Sequence, residues 1–540
     1  MLCCIQPLGD PDIWWHLASG RWMFSHGAIP RSDPFSFTAF GTPWVDSYWL
    51  YEIFLYAGER LAGLGWIILL KTLCVAGALV AMDKRLRERG LPWPARLAAQ
   101  ALVLVASQPR GAGWTENAST LSFLFFSILL WRRERWRRGE PPPGVLPGLL
   151  FFALWANLHR GFVLGLAVLG LDLIEKVPRA GAPKWKEAGF IALGGLATLA
   201  TPYGIGLYRV IADDFILSPA HTNNWFGPPL SRFAPFWCVL AIFWASRIWK
   251  ITAPAGRARP LQEEGKGGRE WLAPLFLSWL AARHAWAVRF FMLEACGELA
   301  AAVWEGVKDH RGGRLGRIIA GEGPWTAAAA FALIVSAVSL QPARAGVDLD
   351  RVPVAACGFI AQNKVSGPFY NAYGFGGYWI WRFNGDPPVF IDGRYPSVRG
   401  YIRVLDRFWA AKQGNPGAWG RFLDSYGARA ALVGYPAPSV KNPPALDRYF
   451  PRSRWALVYW DDTALLFVRR DARHRDLIRR WEFREVSPNA DPAEIERRWR
   501  SSPAAKARIR EELLANLAIH PRSWRTARLV NRLAPLETRR

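Results

Sequence analysis

The chain has 540 residues, of which 51% are hydrophobic, and its 68 Lys and Arg against 43 Asp and Glu give a formal net charge of +25. The basic residues fall in short clusters between apolar runs, whereas a soluble nucleic-acid-binding protein concentrates positive charge on one folded face. The pattern excludes a nucleic-acid partner and predicts a polytopic membrane protein in the lipid bilayer.

Residues 1–61 are predicted to form a first extracytoplasmic loop with amphipathic interfacial helices. MLCCIQPLG at the start is too short for the apolar core of a signal peptide. We therefore expect either a first transmembrane helix upstream of this sequence or a loop tethered only at its far end.

The stretch DIWWHLASGRWMF (12–24) combines carboxylate, histidine and tryptophan side chains. Trp rings suit the lipid headgroup layer, which predicts an amphipathic helix along the outer membrane surface. Asp12 and His16 are four residues apart and share one face of that helix, where both can meet a common ligand. With Asp10 they are the candidate catalytic residues, although a carboxylate at this position also caps a helix N-terminus.

Residues 62–340 are predicted to form a transmembrane domain of about 10 to 11 helices, several of them shorter than the roughly 20 residues that a span needs. The apolar runs lie at 62–82, 95–107, 119–131, 145–158, 161–174, 188–202, 234–248, 271–283, 288–304 and 323–340.

Strongly basic loops alternate with these runs. They lie at 83–90, 132–140, 175–186, 256–269 and 308–317. Ten crossings place all of them on one side, which the positive-inside rule makes the cytoplasm. The first loop and everything after residue 340 then lie outside it, and the same count requires a break at NLHRG (157–161). A break at membrane depth indicates a cavity.

Three arginines at the outer ends of apolar runs depart from the positive-inside rule, and polar residues flank them. The candidate substrate-binding residues here are Asn157, His159, Arg160, Arg283, His284 and Arg289. Snorkelling to outer headgroups explains each arginine singly. Three together favour an anionic ligand, because a guanidinium binds phosphate bidentately.

Residues 341–470 are predicted to form a small extracytoplasmic α/β domain. Strands are predicted in 368–383, 387–394, 428–435 and 455–470, with helices at 401–413 and 418–427. From 471 to 540 an Arg-rich helical tail follows, which is either a solvated helical pair or a surface for lipid headgroups or a partner.

Two motifs stand out in this domain, GFGGYWIW and FIDGRYP. Gly376 and Gly377 would allow a bend or a close backbone approach in a strand, and Asp392–Gly393 is a turn signal. Besides this structural interpretation, acceptor binding stays open for Tyr378, Trp379, Asp392 and Arg394.

Several motifs together resemble a group of bacterial multi-spanning membrane proteins: the first-loop sequence from DPDIWWH onward, LWANLHRGFVLGL, TPYG, RHAWAVRFF and GGYWIW followed by VFIDGR. This group is similar to the GT-C superfamily of integral-membrane glycosyltransferases, which includes protein mannosyltransferases and lipid A aminoarabinose transferases. The resemblance covers about residues 9 to 470. One departure is TENASTLSF, which stands where an Arg-Pro pair is expected.

The resemblance implies a GT-C-like fold, a polyprenyl-phosphate sugar donor, and sometimes a divalent metal such as Mg or Mn. It also implies a catalytic carboxylate in the first outer loop, which falls on Asp10 or Asp12, with Asp12 preferred. A sugar on a polyprenyl phosphate already has a good leaving group, which needs no proton from a general acid. One base and one phosphate-binding clamp would therefore suffice for the transfer.

We therefore expect an inverting glycosyltransferase of the bacterial inner membrane that transfers a sugar to a glycan, lipid or protein acceptor on the periplasmic side. The alternative is a non-catalytic or transport protein for lipid-linked glycans, which needs the arginines but not Asp12. A structural or assembly protein with an extracytoplasmic interaction domain is a third hypothesis.

Overall fold

The structure is a computed structural model that describes residues 4–109, 114, 116–140, 144–176, 185–217, 227–252, 271–309, 346–394, 397–413, 416–435, 449–488 and 492–534. The predicted run at 323–340 and the basic loop at 256–269 lie outside the described residues. So do most of the basic loops at 175–186 and 308–317.

Helices dominate the first part of the chain. They are α1 (Asp12–His26), α2 (Trp49–Ala62), α3 (Gly65–Glu88), α4 (Trp93–Ala106), α5 (Ser119–Arg137), α6 (Val145–Leu158), α7 (Phe162–Lys176), α8 (Trp185–Ala197), α9 (Gly206–Leu217), α10 (Leu230–Thr252), α11 (Leu272–Arg283) and α12 (Val288–Asp309). Each apolar run predicted up to residue 304 coincides with a helix, whereas α2 and α9 were not predicted as spans.

Among the described residues, only α3 is both long enough and apolar enough to cross a bilayer. The apolar helices α4, α6 and α11 are shorter. They have 12 to 14 residues. At 1.5 Å per residue, a helix of that length is shorter than the hydrocarbon core, which is about 30 Å thick. Of the ten or eleven predicted spans, one therefore meets both criteria among the described residues.

Helix α6 carries an apolar stripe on its outer face. Leu146, Leu150 and Leu154 recur every four residues and are 65%, 60% and 48% exposed. Residues at this spacing share one helix face. Contiguous exposed apolar surface marks a region that lipid or another protein covers, which supports a membrane environment for this helix.

Elements of both kinds follow residue 346. They are α13 (Val354–Gln362), β1 (Phe369–Asn371), α14 (Gly376–Phe383), α15 (Gly400–Gln413), α16 (Pro416–Ser425), β2 (Ala430–Gly434), β3 (Trp455–Trp460), β4 (Ala464–Arg469), α17 (Arg475–Trp481), α18 (Pro492–Ser501), α19 (Pro503–Ile519) and α20 (Trp524–Leu533). The predicted small C-terminal α/β domain is present.

One sheet joins the four strands in the order β1-β2-β4-β3. β1 pairs with β2 in parallel, and the other two pairs are antiparallel. The β3–β4 hairpin turns at Asp461, whose side chain accepts hydrogen bonds from the backbone N–H groups of Thr463 and Ala464. The strands are buried along nearly their whole length, so elements cover both faces of the sheet.

Two of the strand predictions are wrong. In 368–383 only Phe369–Asn371 is a strand, and Gly376 and Gly377 begin α14 instead of bending a strand. The segment 387–394 forms only an isolated bridge, between Ser36 and Val389, and ends in a turn at residues 393 and 394. Both segments contain short apolar runs with buried side chains, and such runs do not distinguish strand from helix.

The described chain divides into two compact units that do not follow chain order. The first contains residues up to Leu8 and Val45–Gly346, and the second contains Gly9–Trp44 and Val347–Arg540. Most of the predicted first loop therefore belongs to the second unit, together with the C-terminal domain. The first unit contains α2 to α12 and is called the helical unit.

Helix α1 is not an interfacial amphipathic helix, contrary to our prediction. Every residue from Ile13 to Gly20 is buried, with Trp14 and Trp15 only 1% and 3% exposed. The Trp14 ring packs edge-on against Tyr378 of α14 at 5.0 Å. The tryptophans thus fill a protein core, and Gly27 in the left-handed conformation ends the helix.

Candidate functional site

In the helical unit, two candidate residues from distant parts of the chain meet on one turn of α5. Arg289 Nη1 donates a hydrogen bond to Ser119 Oγ at 3.0 Å, and Ser122 Oγ lies 2.6 Å from His159 Nδ1. Ser119 and Ser122 are three residues apart and share a helix face. His159 and Arg289 therefore belong to one polar cluster at the beginning of α5.

The predicted break at 157–161 places His159 in this polar cluster. α6 ends at Leu158, and His159 has extended backbone angles, φ −165° and ψ 144°. Asn157 supports the break, because its Nδ2 donates to the carbonyl of Ala200 and its Oδ1 accepts from Trp49 Nε1. Asn157 thus has a structural role at this position.

The hydrogen-bond network assigns the tautomer of His159. The Gly161 backbone N–H donates to Nδ1 at 2.9 Å, so Nδ1 carries no proton and the Ser122 hydroxyl is the donor in its contact with Nδ1. Ser122 Oγ in turn accepts from Trp155 Nε1 at 2.7 Å. Nδ1 is then an acceptor, and a neutral imidazole carries its proton on Nε2. Nε2–H is a hydrogen-bond donor for an oxygen of a ligand.

Arg160 extends the same cluster. Its Nε donates to Tyr48 Oη at 2.9 Å, its guanidinium lies 4.9 Å from the Tyr48 ring centre, and it pairs with Asp214 of α9. The Tyr48 ring lies 5.5 Å from that of His159. Two guanidinium groups and an imidazole therefore line the ends of α5, α6 and α12.

The remaining two residues of the predicted set do not show this convergence. Arg283, the last residue of α11, is exposed, and the half-buried His284 stacks on Trp286 with ring centres 6.1 Å apart. Their proposed substrate contact stays a prediction.

Lys71 and Glu116 are further members of the cluster that we did not single out from the sequence. Buried Lys71 donates to the carbonyl of Trp114 at 2.9 Å and pairs with Glu116 at 3.3 Å. Arg289 lies over the Trp114 ring at 5.7 Å. A lysine inside the apolar run of α3 was an available signal, since charges at such positions are rare and usually functional or paired.

In the second unit, the structure separates the roles of the two first-loop carboxylates. Asp10 Oδ1 accepts the backbone N–H of Asp12 at 2.9 Å and so satisfies the first backbone N–H of α1. Asp12 Oδ1 accepts from Trp15 Nε1 at 3.1 Å. The half-buried Asp12 carboxylate lies in the first turn of α1. His16 is 2% exposed and lies against the Trp15 ring.

A fully buried ionic cluster joins the first-loop segment to the FIDGR motif within this unit. Arg394 donates to Asp33 Oδ1 at 2.6 Å and to both oxygens of Asp392 at 2.8 and 2.7 Å, and Tyr401 Oη donates to Asp392 at 2.6 Å. Burial alone would lower the pKa of Arg394, but Asp33 and Asp392 outweigh it and raise that pKa well above its usual value.

The acceptor-binding candidates of this domain therefore all have partners inside the protein. Trp379, Asp392 and Arg394 are at most 1% exposed, and Tyr378 packs on Trp14. Their contacts correspond to the structural interpretation, and acceptor binding by them stays a prediction.

In the part of the chain that the structure describes, no group of three or more His, Cys, Asp or Glu side chains is arranged to hold a metal ion. The Mg or Mn ion that the resemblance implies stays a prediction.

No family model matches the chain, and no curated protein matches it. Several solved structures are similar to it, among them two that match most of this chain. ArnT from Cupriavidus metallidurans, bound to undecaprenyl phosphate, is 13% identical with a TM-score of 0.47, and the match covers 87% of this chain and 96% of that one.

The second is the Archaeoglobus fulgidus oligosaccharyltransferase in its apo form. It is 10% identical with a TM-score of 0.49, and the match covers 79% of this chain and 66% of that one. Both belong to the GT-C class that the sequence motifs resemble. Both TM-scores are below 0.5, so the function of this chain is argued from its own residues.

Proposed function

We propose that the protein is an inverting membrane glycosyltransferase that takes a sugar from a polyprenyl-phosphate donor. The observation that carries the proposal is the meeting of His159 and Arg289 on one turn of α5, with Arg160 beside them. The acceptor, a glycan, lipid or protein, receives the sugar on the periplasmic side of the bacterial inner membrane.

The cluster has the chemistry of a phosphate site. Guanidinium groups bind phosphate oxygens with charge-assisted hydrogen bonds, and the neutral imidazole of His159 adds a donor at Nε2. These donors stabilise the negative charge that grows on the phosphate as the sugar leaves. The exposed leucine stripe of α6 ends at Leu154, and the helix itself ends directly before His159. An apolar surface therefore lies next to the polar cluster along the chain.

Asp12 is the proposed base. The acceptor oxygen attacks the anomeric carbon and the bond from that carbon to the phosphate oxygen breaks, with the electron pair leaving on the phosphate. Asp12 takes the proton of the acceptor hydroxyl. A single displacement inverts the anomeric configuration. Asp12 is chosen over Asp10 because the Asp10 side chain accepts the first backbone N–H of α1.

Binding of undecaprenyl phosphate tests the phosphate site. Arg289→Ala and Arg160→Ala should each weaken binding by roughly 10-fold or more, since a charge-assisted hydrogen bond contributes about 1.5–3 kcal/mol. Native mass spectrometry of the purified protein in detergent measures the affinity. Arg209→Ala, an exposed arginine of α9, is the matched control and should bind as wild type. Equal affinity in all four proteins would refute the site.

Turnover tests the base. Wild type is incubated with a panel of synthetic undecaprenyl-phosphate-linked sugars and a bacterial membrane extract as acceptor source, and released undecaprenyl phosphate is measured. Asp12→Asn should lower turnover by about 100-fold or more and leave undecaprenyl-phosphate binding unchanged. Equal turnover by Asp12→Asn would reject Asp12, and binding without turnover of any donor would favour the transport alternative.

A further inference from the structure

The carboxylate of Asp12 rests against the backbone of Gly393, in the FIDGR motif. A methyl group added at residue 393 would lie 2.1 Å from Asp12 Oδ1 and 3.0 Å from Trp15 Nε1. Contacts below 3.0 Å do not occur between such atoms in folded proteins, so a side chain at residue 393 would displace the carboxylate. Only glycine permits this approach.

The backbone that carries Gly393 is fixed on both sides. Its neighbours Asp392 and Arg394 are paired through two hydrogen bonds, and the Arg394 N–H donates to Asp392 Oδ1 at 2.9 Å. Arg394 also reaches Asp33. All three side chains are fully buried, and Arg394 lies over the Trp44 ring at 4.8 Å. Closed ionic contacts of this kind hold a backbone segment in one geometry.

The first turn of α1 is held from a second direction as well. A methyl group at Gly377, in the first turn of α14, would lie 2.3 Å from the carbonyl oxygen of Pro11. The turn that carries Asp12 is therefore confined between α14 and residue 393.

We infer that Gly393, held in place by Arg394 between Asp33 and Asp392, positions the Asp12 carboxylate for proton abstraction. The inference rests on the proposed function, in which Asp12 is the base. A base acts only within hydrogen-bond reach of the hydroxyl, and a misplacement of about 1 Å can cost about 100-fold in rate. In this role Gly393 and Arg394 are positioning residues, because they act on the reaction through the Asp12 carboxylate.

Gly393→Ala tests the inference, and Gly374→Ala is its matched control, because a methyl group at residue 374 meets nothing within 4 Å. With the donor that wild type turns over, Gly393→Ala should lower kcat by about 10- to 100-fold. KM for the donor and the affinity for undecaprenyl phosphate should not change, which also reports a folded protein. Gly374→Ala should retain wild-type kcat, and Asp12→Asn combined with Gly393→Ala should be no slower than Asp12→Asn alone.

Thermal unfolding tests the contact without any donor. Gly393→Ala should lower the Tm by crowding the carboxylate, and adding Asp12→Ala should restore part of the loss because it removes the crowded atoms. Asp12→Ala combined with Gly374→Ala should show no such gain.

The outcomes separate this inference from the function on which it rests. If Asp12→Asn is inactive while Gly393→Ala keeps the kcat of Gly374→Ala, the positioning role is wrong and the base stands. If Asp12→Asn is as active as wild type, the proposed base fails. If Asp12→Ala does not recover any Tm in the Gly393→Ala background, the close contact itself is refuted.

Discussion

At the scale of single residues, Ser122 decides what His159 can do. Its hydroxyl lies between Trp155 Nε1 and His159 Nδ1, at 2.7 and 2.6 Å. This chain of hydrogen bonds keeps Nδ1 as an acceptor and leaves the proton of a neutral ring on Nε2. The sequence pattern NLHRG identified His159, but it contained no information about the serine of another helix that orients the ring.

Ser122→Ala should therefore weaken undecaprenyl-phosphate binding several-fold, since Trp155 and His159 each lose a buried partner worth about 1–3 kcal/mol. Native mass spectrometry measures the affinity. Ser127→Ala is the matched control, because Ser127 lies on the same helix and donates to the carbonyl of Ala78 at 2.6 Å, away from the cluster.

Both serine variants should lower the Tm to a similar extent, whereas only Ser122→Ala should change the affinity. If the two variants bind undecaprenyl phosphate equally well, His159 does not act as the oriented donor that we assign.

At the scale of elements, a buried ionic network links four helices of the helical unit. Glu294 of α12 accepts from Arg85 of α3 at 2.7 Å and from Arg133 of α5 at 2.6 Å, and Arg133 also pairs with Asp172 of α7. We assigned Arg85 and Arg133 to basic cytoplasmic loops, but both are 2% exposed. They lie within helices and connect them.

Glu294→Gln should destabilise the protein by about 3–5 kcal/mol, because it leaves two buried arginines without their shared carboxylate. The Tm of the purified protein in detergent measures this loss. Arg87→Ala removes an ion pair with Asp83 in which the arginine is 70% exposed, and its cost should be about 0–1 kcal/mol. Equal Tm values for the two variants would show that the network does not stabilise the helix contacts.

At the scale of the whole molecule, residues 9–44 belong to the same compact unit as residues 347–540. Arg21 of α1 donates to the carbonyl of Trp381 at 2.7 Å and stacks over the Trp381 ring at 4.4 Å. The buried pair of Asp33 and Arg394 joins the same two segments. The first-loop segment thus depends on residues near the other end of the chain for its packing.

Truncation after residue 346 should expose the peptide bond after Arg21 to trypsin, because the truncation removes the surface on which α1 packs. Mass spectrometry of the fragments over time measures the cleavage rate in the full chain and in the truncated chain. Cleavage after the exposed Arg87 serves as the internal reference and should proceed equally in both. An unchanged rate at Arg21 would contradict the shared unit.

The sequence by itself determined what depends on nearby residues. Apolar runs predicted the helices from α3 to α8, charge counting predicted the break before Phe162, and the segments 428–435 and 455–470 were predicted as strands where β2, β3 and β4 lie. These features follow from periodicity and turn chemistry over short windows. The GT-C resemblance likewise rested on short motifs.

Only the tertiary structure decided which distant segments meet. DPDIWWH and FIDGR were both recognised as motifs, but only the fold shows that they meet. A methyl group added at Gly393 would lie 2.1 Å from Asp12 Oδ1. The meeting of Ser122 and His159 is of the same kind. Local patterns report the face and type of an element, whereas long-range pairing is selected by packing and buried charge across the folded chain.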